Sequence, residues 1–363
     1  MVTMNTDVTG MIETDGLENV GAARNVNGNK ARTPPRISDV ARLAGVSTAT
    51  VSMVMNNNPR ISRATSKRVR ATAERLGYRP NRAAQALRGI QTRTLVAFVP
   101  VSDHGLADLY VGELLNGVRE TANNLGYRLL LETGMPTFDS DHPRYGRFDA
   151  KEVDGIMCIG CTVADVPHDL LDLPLLLVDS RPSRSRIDHV SCDYRGGMRQ
   201  AVNYLIELGH RNIALLRPAT PDHRGPELLS AYREAMGAGA SALLLAETAP
   251  SEQGGSDAIG ELLDRNPAIT AVITADDRMA AGVLHRMKLR GLSCPGDLSV
   301  VSLGDTGPAE FTSPGVTAIR LPLRAVGAVA CEKMIQRLRG EISAVGELLP
   351  TQMVLRGSTG MVK

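Results

Sequence analysis

Tryptophan is missing from this chain of 363 residues and phenylalanine occurs only four times, so little flat aromatic surface is available to stack against a ring-shaped ligand. No window reaches the roughly 18 uninterrupted apolar residues of a membrane span. The first residues, MVTMNTDVTGMIETDG, lack a basic stretch followed by an apolar core, which excludes a secretory signal and places the expected protein in the cytoplasm. Cysteine is sparse and odd in number: Cys158, Cys161, Cys192, Cys294 and Cys331. A disulfide framework is therefore not expected. Cys158 and Cys161 make a C-x-x-C, the spacing of a redox pair or half a zinc site. No second pair stands at zinc-finger spacing, and GIMCIGC reads as the end of a buried strand. The catalytic signatures G-x-S-x-G, G-x-x-x-x-G-K-[ST] and H-E-x-x-H are absent, and the seven histidines are scattered, so neither an enzyme nor a bound cofactor is expected.

What is present is an uneven distribution of charge. The net charge of +2 conceals a segment, residues 36–93, with twelve Lys or Arg against two acids, Asp39 and Glu74. Residues 94–363 carry a net −7. A small cationic domain joined to a large acidic one attracts phosphate by counterion release.

Within the cationic segment, ISDVARLAGVSTATVSMVMNN (37–57) reads as two short helices and a tight turn. Ile37, Val40, Ala41, Leu43 and Ala44 follow the spacing of one buried helical face. Gly45 can adopt the positive φ that stops that helix, and Ser47 is placed to cap the next. Burying Val51 and Val54 leaves Thr48, Ala49, Thr50, Ser52 and Met53 outward, a set of small or hydroxyl-bearing side chains able to approach a DNA major groove. The alternative is an ordinary helical hairpin. Ser62 can cap a third helix with Ala64, Val69, Ala73 and Leu76 on its apolar face, ended by Gly77. The segment YRPNRAAQALRG (78–89) allows a helix of about seven residues, too short to hold alone in water, and so a hinge.

Beyond Thr94 short apolar strands alternate with amphipathic helices over some 270 residues, with a slow reset near 190. That rhythm predicts two doubly wound parallel sheets with a ligand cleft at the strand C-termini. The expected organisation is a disordered leader (1–35), a helix-turn-helix domain (36–78), a hinge (79–92) and a two-lobed α/β core (93–363). The stretch ETGMPTFDSDHPRYGRFDAKE interrupts the rhythm and is expected to hold a short crossover helix or none.

The motifs DVARLAGVSTATVSMVMN, LGYRPNRAAQAL, LIELGHRNIALL, TADDRMAAGVLHRMKLRGL and DLSVVSLGD, in this order, resemble the lactose-repressor (LacI/GalR) family of transcription regulators. The likeness covers about residues 36–360. It implies an all-α helix-turn-helix domain followed by a periplasmic-binding-protein-like core. It further implies a homodimer on a pseudo-palindromic double-stranded DNA operator, associated with the nucleoid, under control of a small-molecule effector. By this resemblance Thr48, Ala49 and Met53 read bases. Ser47, Thr50, Ser52, Asn56, Ser62, Tyr78 and Asn81 hold phosphates or steady the domain, and Ala84 and Leu87 enter the minor groove. Met53 stands where the family commonly has a basic residue, and Arg36 at the usual Thr or Ser cap.

The implied effector site departs further. Leu228 stands where the family has a sugar-gripping arginine, and Gly304 where it has an aspartate, with Asp305 next along. Asp179 and Asp276 keep their places, either as ligand contacts or merely as helix caps. A cleft with two acids and no arginine argues against an ordinary hexose. A periplasmic solute-binding protein, the other function class with this two-lobed fold, would have a signal peptide and no basic N-terminal domain.

Overall fold

The computed structural model describes residues 35–55, 58, 60–78, 92–99, 108–133, 152–160, 173–182, 187–218, 224–342 and 346–362. The expectations for residues 1–34, Asn56, Asn81, Ala84, Leu87, Cys161 and the stretch 134–151 lie outside them. The chain divides into two compact units, 1–81 and 82–363.

The first unit holds α1 (Ile37–Ala44), α2 (Thr48–Met55) and α3 (Arg63–Leu76). Its core is made of small side chains: Val40, Ala41 and Ala44 from α1, Val51 and Val54 from α2, Val69 and Ala73 from α3. Two expectations need correction. Leu43 is 51% exposed, because it falls a full 60° beyond Val40 around α1. Ala64 is exposed too, and Thr72 is buried in its stead, its hydroxyl donating to the Arg68 carbonyl at 2.9 Å.

In the second unit the elements run β1 (Thr94–Val99), α4 (Leu109–Asn124), β2 (Arg128–Thr133), β3 (Gly155–Ile159), β4 (Leu175–Val178), β5 (Asp188–Cys192) and α5 (Tyr194–Glu207). They continue through β6 (Ile213–Pro218), α6 (Arg224–Met236), β7 (Leu245–Thr248), α7 (Glu252–Arg265), β8 (Ala271–Thr274) and α8 (Asp277–Leu289). The last are β9 (Ser299–Gly304), α9 (Pro308–Phe311), β10 (Thr317–Arg320), α10 (Leu323–Leu338), β11 (Gly346–Leu349) and β12 (Gln352–Val354). The apolar residues Ala242–Leu244 form a 3₁₀ turn that leads into β7. The buried, all-apolar run of β3 includes Cys158, which sits in the sheet as a small core residue.

The strands form two six-stranded sheets, β11-β5-β4-β3-β1-β2 and β12-β10-β9-β8-β6-β7. Every pairing is parallel except β12 against β10. Parallel strands need helical crossovers on their faces, and the buried all-apolar strands are the consequence. The chain passes between the lobes three times: at Asp193, at Leu321–Pro322 and at Pro350–Thr351. The first and third passages are bonded directly, Asp193 N–H to the Leu349 carbonyl at 2.9 Å.

Each lobe packs one helix pair with main chains in direct apposition. A side chain at Gly117 on α4 would run into the α10 backbone at Arg324, and one at Gly327 on α10 into the α4 backbone at Leu114. The second lobe repeats the device with Gly255 on α7 and Gly282 on α8. Only hydrogen fits at these four places.

On the far side of the second lobe His210 is 2% exposed. Its Nε2 lies 3.0 Å from the Gly360 carbonyl, an acceptor, so the proton is on Nε2 and Nδ1 accepts from Thr270 Oγ1 at 2.9 Å. Burial lowers its pKa below the ordinary histidine value. The unfolded chain therefore takes the proton more readily. The contribution of His210 is whole above about pH 6.5 and is lost as pH falls from there through the lower folded value. Thermal melts between about pH 7.5 and 5.5 are expected to show Tm falling, and His210→Asn to flatten that slope; an unchanged slope in the variant would remove His210 from the pH response.

Candidate nucleic-acid interface and ligand cleft

The turn that aims α2 is built from its sequence. Gly45 takes φ +63° and Val46 N–H returns to the Ala41 carbonyl at 3.0 Å, closing α1. Ser47 Oγ accepts from Thr50 N–H at 3.1 Å and lies 2.9 Å from Thr50 Oγ1. Ser62 does the same for α3, accepting from Thr65 N–H at 3.2 Å. At the start of α1, where Arg36 offers no hydroxyl, the Asp39 carboxylate accepts from Arg36 N–H at 2.9 Å, so the cap is supplied from within the first turn. Arg70 on α3 donates to the Val54 carbonyl at 3.1 Å and fixes the C-terminal end of α2. This positioning residue was not singled out from the sequence, because an arginine sixteen residues away carries no local sign of its target.

With α2 held at both ends, Ser47, Thr48 and Ala49 are exposed, Thr50 and Ser52 are half-buried, and Met53 is 42% exposed. Ser62 is exposed at the foot of α3, alongside Arg63, Lys67 and Arg68, while Tyr78 is half-buried. Burial raises the Tyr78 pKa, so its phenol stays protonated and can donate to an anion. The result is a helix with a small, hydroxylated and apolar exposed face, set in a cationic surface.

The cleft residues gather at the C-terminal ends of strands from both lobes. Asp179, just past β4, and Asp305, just past β9, occupy equivalent places and both have left-handed backbones, φ +50° and +59°. Aspartate tolerates that region when its carboxylate is bonded locally. Asp179 is fully buried and accepts from Tyr110 Oη (2.7 Å), Tyr194 Oη (2.5 Å), Ser191 Oγ (3.1 Å) and Cys192 N–H (2.8 Å). Burial, with Asp179 alongside, drives both tyrosines well above the usual phenol pKa, so they remain donors. Asp305 is clamped by Arg320 Nε at 2.7 Å and Arg356 Nη2 at 2.6 Å.

Asp276 caps α8, accepting from Met279 N–H at 2.7 Å. Its neighbour Asp277 orders the loop after β9 through Ser302 Oγ (2.5 Å), Thr306 N–H (2.7 Å) and Thr306 Oγ1 (2.8 Å). A Cβ at Gly304 would lie 2.9 Å from that carboxylate. Leu228 is 1% exposed and faces the core.

The expectation of a cleft without arginine does not hold. Arg224, one turn before Leu228 on α6, has its guanidinium carbon 4.5 Å from the centre of the Tyr110 ring. Its charge offsets part of the rise in pKa that burial causes at the Tyr110 phenol and at Asp276. Tyr110 and Arg224 escaped the sequence reading because the first belongs to a helix start with no motif and the second is offset by four residues from the expected place. A cavity of about 380 Å³ is lined by Leu109 and Glu113, by Gly304–Thr306 and by Arg320–Ala325; it takes in Gly304 and Asp305, whereas Tyr110, Asp179, Arg224 and Asp276 do not line it.

Residues 36–81 match the model of the bacterial regulatory proteins of the lacI family, and residues 202–359 that of a periplasmic binding protein-like domain. The chain is 30% identical to catabolite control protein A of Priestia megaterium over 331 residues, 89% of this chain and 98% of that protein. To the HTH-type transcriptional regulator CelR of Thermobifida fusca it is 32% identical, over 90% of this chain and 99% of that one. Among solved structures, the lac repressor dimer bound to operator and the anti-inducer ONPF superposes with a TM-score of 0.76 at 25% identity, covering 90% of this chain and 100% of that one. A CelR–cellobiose complex superposes with a TM-score of 0.67 at 31% identity, covering 89% and 99%.

Proposed function

Because the chain belongs to the lacI family of bacterial regulatory proteins, and is a DNA-binding transcription regulator rather than an enzyme, we propose that it acts as a homodimeric repressor on a pseudo-palindromic operator in the cytoplasm, on the nucleoid. The observation that carries this reading is the geometry of α2: capped by Ser47, pinned by Arg70, and presenting Thr48, Ala49 and Met53 outward. In the major groove these three read base edges, Met53 by apolar contact with a thymine methyl in place of a hydrogen bond. Thr50, Ser52, Asn56, Ser62, Tyr78 and Asn81 face phosphate or support the helix. Ala84 and Leu87 wedge the minor groove between two half-sites. The domain boundaries that go with this reading are 36–78, 79–92 and 93–363.

Pairing of two copies sets half-site spacing. Phe311, 84% exposed on α9, is a large apolar side chain that a second copy would cover. Ligand control is atypical or lost, since Leu228 and Gly304 leave a sugar without the two grips its hydroxyls need. Selection of bound fragments from a genomic library is expected to return a pseudo-palindrome whose half-sites lie about one helical turn apart, with centres about 10 bp apart. A monomer that enriches no sequence would overturn the proposal.

A further inference from the structure

The two lobes are tied together across the cleft by one face of α6. Arg181, two residues past Asp179 in the first lobe, places Nη1 2.6 Å from Glu227 Oε1 in the second. The Glu227 side chain is only 11% exposed, so this bond is not a freely solvated pair. Three residues earlier on α6, and therefore on the same face, the Arg224 guanidinium lies over the Tyr110 ring of the first lobe. That ring is held from behind, since its hydroxyl donates to Asp179. Tyr194, at the first passage between lobes, grips the same carboxylate from the second-lobe side. Three groups from the second lobe, Glu227, Arg224 and Tyr194, thus meet three of the first, Arg181, Tyr110 and Asp179.

We propose that Arg224 and Glu227 form a built-in latch. By gripping Tyr110 and Arg181 they supply from within the chain the polar bridging that a ligand supplies when it draws two lobes together. An effector could then act by displacing Arg224 from Tyr110 and freeing α6. The latch gives a physical form to the atypical control proposed above and rests on reading the cleft as the control site. A partly solvated ion pair shifts a two-state balance by about two- to fivefold, and with a cation–π contact beside it by about tenfold.

The test is a distance measurement between spin labels at exposed positions of each lobe, Asn123 and Glu261, in the full chain, with labelled copies diluted in an excess of unlabelled chain so that only separations within one copy are read. The parent is expected to give one narrow separation. Glu227→Gln combined with Arg224→Gln is expected to give a broad or longer one, and the exchange Arg181→Glu with Glu227→Arg to restore most of the narrow population. Arg181→Gln repeats the test from the more exposed end of the bridge should the α6 variants fold poorly. Unchanged separations in the folded variants would overturn the latch. The readout needs no DNA: normal operator binding with unchanged separations sinks the latch alone, and broadened separations without any selected sequence sink the regulator reading alone.

Discussion

Raising monovalent salt from about 50 to about 200 mM is expected to weaken binding to the selected operator by roughly a thousandfold or more. The reasoning begins with the twelve basic residues in positions 36–93 of each copy, against two acids. Arg63, Lys67 and Arg68 stand exposed near the capped start of α3. A dimer that neutralises six or more phosphates releases about 0.9 counterion for each, and the logarithm of affinity falls in proportion to the logarithm of salt. Base reading contributes differently: Thr48→Ala or Met53→Ala should alter which sequences bind and leave the salt slope as it was, whereas Arg68→Ala, which removes one phosphate contact from each copy, should lower the slope of the dimer by about two. Titrations by fluorescence anisotropy at four salt concentrations measure both. A flat salt response would mean that the cationic surface does not touch the duplex.

Leu228→Arg, the change that would restore the arginine found elsewhere in the family, is expected to lower Tm by about 10 °C and not to create sugar binding. Leu228 is buried with Ala231 and Tyr232 in the main core of the two lobes. An unpaired guanidinium there costs on the order of 4 kcal/mol, and in a domain of this size each kcal/mol moves Tm by about 2–4 °C. The helix turn nearest the cleft is already occupied by Arg224. Adding Gly304→Asp compounds the damage, because the new side chain must share its space with the Asp277 carboxylate. Leu228→Met, of similar volume, should cost less than about 1.5 kcal/mol. Calorimetric melting of the three variants decides the matter. An arginine variant melting with the parent would show that position 228 opens to the cleft.

The parts legible in the sequence were those fixed by neighbours a few residues apart. Gly45, Ser47, Ser62 and Gly77 announce helix ends through local backbone chemistry, and all four behave as read. Long alternations of strand and helix gave the two parallel sheets. The short strands β5, β10, β11 and β12 passed unnoticed, because three to five residues are too few for a period to show. DHVSC and QMV become strands only when a partner edge is in place. The cleft was hardest to read. Asp179 takes its donors from residues 12 to 69 positions away, and Arg181 meets Glu227 46 positions on. Such pairings depend on how the lobes fold back, which no local pattern encodes.

The return of α10 has a bearing on synthesis. Met334 and Ile335 on this late helix pack in the same core as Leu114 and Val118 on α4, and β11 finishes the edge of the first sheet. On the ribosome, the amino-terminal half of the body must wait with its interior uncovered until α10 and β11 have been made. A premature stop codon near position 320 would thus cost both halves of the body, although most of the first would already have been translated.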